Sequence, residues 1–98
     1  ELNDSQVVIH RKQDGQEFCD MIVDQFDEMI EQCARHPLVM NISVHPYIFA
    51  QPFRLRALRA ALAHCIAHPN RDRVWFTRPA AVADYCYSLP PGIIPGSE

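Results

Sequence analysis

LVMNISVH, residues 38–45, alternates with period two and ends in a histidine that Pro46 follows at once. Leu38, Met40, Ile42 and Val44 share one face of an extended chain; Val39, Asn41, Ser43 and His45 share the other. The first face suits packing against helices, and the second grows more polar toward its C-terminal end. The pattern predicts a β-strand with an ionisable side chain at its rim. Pro46 restricts His45 to extended geometry and removes a backbone donor behind it. A histidine so placed can exchange a proton near neutral pH. From position alone, a plain strand terminus before a turn is the better reading.

The stretches around this strand alternate with it. Residues 6–10, QVVIH, read as a short strand or an extended arm. Asp14 with Glu17 is a capping-box variant opening a helix over 17–35. Phe18, Met21, Ile22, Phe26, Met29, Ile30 and Cys33 form its apolar stripe, and Asp20, Asp24, Asp27, Glu28 and Glu31 take the solvent side. Residues 46–53 make a proline-bounded loop. A second helix over 54–68 carries Leu55, Leu58, Leu62, Cys65 and Ile66 inward and Arg54, Arg56 and Arg59 outward, a solvated face answering the acidic one. RVWFT, 73–77, is a second short strand with Trp75 in the core. Thr77 caps a third helix over 78–87, with Pro79 in its first turn. The tail SLPPGIIPGSE, rich in proline and glycine, is extended or disordered.

This order predicts an α/β fold with parallel strands and crossover helices. Two or three parallel strands leave two raw edges, which invite pairing. The chain therefore reads as a slice of a larger sheet or barrel that oligomerises when alone. It opens on Glu1 and not on methionine, which reads as a processed, cloned or proteolysed piece of something longer.

Ninety-eight residues bound one domain, and a net charge of −3 argues against nucleic acid as the main partner. No apolar run reaches membrane-spanning length, and no signal-peptide pattern appears, so the expected compartment is the cytoplasm. Cys19, Cys33, Cys65 and Cys86 are widely spaced with no CxxC pair and read as small buried hydrophobes, with a disulfide scaffold the weaker alternative. His64 and His68 have the i, i+4 spacing of a zinc pair, but Cys65 stands where a general base would be needed and no third ligand is evident. Tyr47, Phe49 and Phe53 could stack on a ligand ring, with packing under the prolines the favoured reading.

The run SVHPYIFAQPFRLRALRAALAHCIAHPNRDRVWFTRPAAVADY, residues 43–85, closely resembles the C-terminal end of polysaccharide deacetylases, the NodB homology family, in the branch that includes allantoinase-type enzymes. His-Pro-Tyr followed by Gln-Pro-Phe-Arg carries the likeness. The resemblance implies a distorted (β/α) barrel, of which residues 1–87 form the C-terminal part, with about two or three parallel strands and three helices, and 88–98 a tail. It implies hydrolysis of an amide-type C–N bond in a carbohydrate or ureide, with His45 as the general acid that protonates the leaving amine. Val44 walls the acyl pocket; Tyr47, Gln51 and Arg54 shape its mouth; Asn3 and Asp4 match an acidic segment near the site. The family's base aspartate, its histidine metal ligands and its arginine motif have no counterpart in this chain. The resemblance thus implies no cofactor in this fragment, a divalent metal such as zinc in the full-length parent, and inactivity of the isolated chain. Its partner would be the N-terminal remainder of the barrel or another copy of the chain. Ala50 departs from the family's glycine, and Ala80 and Ala81 from its acidic pair.

Overall fold

A computed structural model describes residues 2–98. A π-helical turn spans Ser5–His10, followed by α1 (Gly15–Gln32), the one-turn helix α2 (Pro46–Phe49), α3 (Pro52–Ile66), a 3-10 turn (Arg71–Arg73) and α4 (Pro79–Ser88).

Local chemistry sets these boundaries. The Asp14 carboxylate accepts the Glu17 N–H at 2.7 Å, satisfying one of the donors that every helix start leaves free. Prolines open α2, α3 and α4 within their first turns, where a missing N–H costs nothing. Arg78 is the N-cap residue of α4, so Thr77 lies one position outside the capping role its sequence predicts.

The core lies where α1 meets α3. Phe18 and Ile22 of α1 are fully buried with Ile48 and Val7, and Cys19, Phe26 and Ile30 extend the cluster. Each such aliphatic or aromatic side chain contributes roughly 1.5–3 kcal/mol by leaving water. On α3 the inward residues are Leu58, Ala61 and Cys65, while Leu62 and Ile66 are 39% and 62% exposed. The helix is turned relative to its most apolar stripe, with the small Ala61 on its buried face. At Gly15, a Cβ would stand 3.0 Å from Arg54 Cγ.

The expected barrel slice is not what forms. Among the described residues there is no sheet, and the molecule is mostly helical. The α/β assignment and the β/α barrel are therefore overturned. The 38–45 segment runs without helix but does not form the strand its alternation predicts; among the described residues it pairs only through a single parallel bridge between Ser43 and Asn3. Ser43 donates to the Leu2 carbonyl at 2.8 Å and accepts from the Asp4 N–H at 3.0 Å. A strand becomes a sheet only when a second backbone lies alongside it, and this chain brings three residues there. QVVIH does not pair as a strand; it coils, burying Val7 and Val8 against α1. RVWFT enters as a 3-10 turn at Arg73 and continues without a ladder, leaving Trp75 58% exposed and outside the core. The tail forms turns and no regular element. No helix among the described residues is long and apolar enough to cross a membrane.

Candidate functional site

The bridge positions a long-range polar cluster that includes His45. Pairing of residues 2–4 with Ser43 brings Asp4 alongside the strand end. Asp4 has no exposed surface. One of its carboxylate oxygens accepts the main-chain N–H of His45 at 2.7 Å. The other meets His45 Nδ1 at 2.6 Å. An ionised carboxylate only accepts, so Nδ1 carries the proton and Nε2 is the atom left to exchange one with a ligand. Nε2 has no protein partner among the described residues, and the imidazole is 45% exposed.

Burial of a carboxylate is costly unless its lone pairs are satisfied. Here both oxygens are engaged by one residue, main chain and side chain together. That double grip fixes the imidazole's position as well as its tautomer. The His45 backbone adds to this: at φ −115°, ψ 132° it precedes Pro46 in extended geometry, and its carbonyl accepts the N–H groups of Ile48 and Phe49 as α2 begins. The Tyr47 ring centroid sits 5.9 Å from that of the imidazole, and the residue is 67% exposed, so an aromatic surface lies beside the imidazole ring.

The other predicted site residues separate into different roles. Val44 is 43% exposed immediately before His45. The Asn3 side chain is spent locally, its Oδ1 accepting from the Ser5 N–H at 3.0 Å and Ser5 Oγ at 2.8 Å. Gln51 is the exposed N-cap residue of α3, with no capping bond from its side chain. Arg54 lies over the Phe53 ring at 5.0 Å and donates from Nη1 to the Ile48 carbonyl at 3.3 Å, while its buried Nε has no partner. Neither Gln51 nor Arg54 hydrogen-bonds to the Asp4–His45 pair.

A second cluster joins the His64–His68 pair, whose spacing the sequence shows, to Asp27, for which the sequence carries no signal. Asp27 of α1 meets His64 Nε2 of α3 at 2.7 Å and His68 Nε2 at 3.5 Å. His68 Nδ1 accepts the Asn70 N–H at 3.0 Å, so its proton resides on Nε2, the atom a metal would need. The His64–His68 pair therefore serves as a polar clasp between two helices. At the first cluster both Asp4 oxygens are already taken. Among the described residues no three His, Cys, Asp or Glu side chains are disposed to hold a metal ion, and the residues present do not fit the zinc of the resembled family.

All four cysteines are free. Cys19 and Cys65 are buried, and burial pushes both thiols upward, Cys19 to about 11; the neighbouring charges of Asp20 and Asp27 add to the effect. Cys33 and Cys86 are half-buried.

The chain matches no family model, no curated protein and no solved structure.

Proposed function

We propose that this chain carries the proton-donating part of a hydrolase acting on non-peptide amide C–N bonds, with His45 as general acid and Asp4 as the residue that positions it. The observation that supports this is the Asp4–His45 pair: a buried carboxylate grips Nδ1 and the main-chain N–H of a histidine whose Nε2 is free. The substrate class comes from the resemblance of residues 43–85 to polysaccharide deacetylases.

In this reading, a water activated by groups outside the chain adds to the amide carbonyl. As the resulting intermediate collapses, the C–N bond breaks and the nitrogen takes the Nε2 proton of His45 in its doubly protonated imidazolium form, which leaves the neutral Nδ1–H tautomer that Asp4 holds. Asp4 keeps the ring from rotating, so the proton is offered along one direction throughout. Tyr47 supplies a face on which a sugar or ureide ring can rest. Four free thiols, two of them buried, support a reducing compartment such as the cytoplasm.

The test uses the longer polypeptide that the resemblance implies, assayed on N-acetylated sugars and on allantoin-like ureides. His45→Ala is expected to lower kcat by a hundredfold or more, the usual scale for a lost general acid. Undiminished turnover in that variant removes His45 from the mechanism.

A further inference from the structure

The molecule exposes more surface than a compact chain of its mass. Its accessible area is 7248 Å², against roughly 5,700 Å² for a folded monomer of 11 kDa. Its radius of gyration is 15.6 Å, against about 13 Å expected. The excess of about 1,500 Å² is more than the roughly 800 Å² that each partner contributes to a standard protein–protein interface.

Two stretches account for its chemistry. Residues 38–42 make no main-chain hydrogen bond among the described residues, and Val39 is 75% exposed. Beside them runs a groove of about 490 Å³ floored by Leu2, Met21 and Met40 and rimmed by Asp24. Asp20 and Glu28 stand one helical turn to either side of Asp24, exposed like it. No Lys or Arg forms an ion pair with a carboxylate among the described residues. The second stretch, residues 73–78, has the opposite character. Arg73 and Arg78 bracket Val-Trp-Phe-Thr; Trp75 and Phe76 are 58% and 52% exposed, and the N–H groups of residues 75–77 are unpaired.

We propose that a second copy of this chain lays its 73–78 segment along residues 38–42, with Arg73 and Arg78 facing the acidic rim at Asp24. The main chains supply each other's missing hydrogen bonds, as Ser43 already does with Leu2 and Asp4. Reciprocal exchange across a two-fold axis closes the assembly as a dimer and covers both apolar stretches on each copy. None of these residues belongs to the Asp4–His45 pair, so the proposal stands apart from the hydrolase reading.

The experiment is sedimentation velocity of the chain from 1 to 200 µM, with Asp24→Arg, Arg73→Asp and the double variant. All substituted positions are exposed, and circular dichroism checks that α1 and α3 persist. The expected result is a dimer that each single variant weakens tenfold or more and that the double variant restores. A second measurement needs no folded variant: a labelled peptide of residues 71–78 gains anisotropy on the dilute wild-type chain. A wild-type monomer at every concentration, single variants without effect, a double variant no better than its parents, or a peptide that fails to bind overturns the proposal.

Discussion

The Asp4 carboxylate, with no exposed surface, holds both the main-chain N–H and Nδ1 of His45, a residue 41 positions away in the chain. One side chain thereby does two things: it ties the N-terminal segment to the strand end, and it fixes which imidazole nitrogen faces outward. Hydrogen bonds to a charged partner contribute about 1.5–3 kcal/mol each, and loss of one partner leaves the other group buried and unsatisfied. Asp4→Ala is therefore expected to lower stability by about 3 kcal/mol, read as the shift in urea midpoint. In nitrogen-15 spectra the wild-type His45 is expected as the Nδ1–H tautomer when neutral, and Asp4→Asn abolishes that preference. A loss below about 1 kcal/mol with an unchanged tautomer would mean the pair orders nothing.

The Asp14 cap can be tested separately because it touches no other feature. Its carboxylate takes the Glu17 N–H at the exposed start of α1. Asp14→Ala is expected to cost about 1 kcal/mol, and Asp14→Ser to recover most of it. Equal stability of the alanine and serine variants would show that the 2.7 Å contact does not hold the helix end.

The residues that were legible are those whose role is decided locally. The Asp14 cap and the apolar period of α1 need only near neighbours, and both form, although the Glu17 side chain makes no return bond among the described residues. Residues 38–45 are free of helix because alternation and Pro46 act within the segment. That no sheet forms was not legible, because whether a strand finds a partner depends on distant backbone. QVVIH shows the same competition resolved the other way. Two valines favour a strand, yet burial of Val7 and Val8 against α1 wins in a π-helical turn. His45 could be singled out from its place at the strand end, whereas Asp4 came only with the family likeness, and its burial under the imidazole had no local signal. Asp27 meets His64 across 37 residues, and nothing in the spacing of either points to the other.

The face that α3 turns inward is a sharper case, because hydrophobicity alone picks Leu58 and Cys65 rightly but Leu62 and Ile66 wrongly, and passes over Ala61. Leu58 is 8% exposed and Ala61 3%, whereas Ile66 is 62% exposed. Leu58→Ala is expected to cost 2–5 kcal/mol, the range for emptying a packed aliphatic site, and Ile66→Ala less than about 0.5 kcal/mol in the monomer. Ala61→Leu should destabilise by about 1–3 kcal/mol by forcing α3 away from α1. Chemical denaturation of the three variants ranks them, and a costly Ile66→Ala would restore the leucine-rich stripe as the inner face.

Burial of Cys19 ties stability to pH in the alkaline range. Desolvation first, then the Asp20 charge, raises its thiol from 9.0 to about 11. The folded chain thus holds this proton more tightly than the unfolded chain does. The contribution is fully present below pH 9 and is lost as pH rises from about 9 to about 11, where the folded thiol also ionises. A shift of that size corresponds to about 3 kcal/mol. Unfolding free energy measured between pH 8 and 11 should therefore fall more steeply in the wild type than in Cys19→Ala. The partly exposed Cys33, substituted by serine, should leave the slope as it is. The same protection makes Cys19 and Cys65 slow toward iodoacetamide at pH 8, since only the thiolate reacts, with Cys33 and Cys86 labelled first. Labelling of Cys19 as fast as Cys86 in the folded chain would mean that the α1–α3 core opens on the timescale of the reaction.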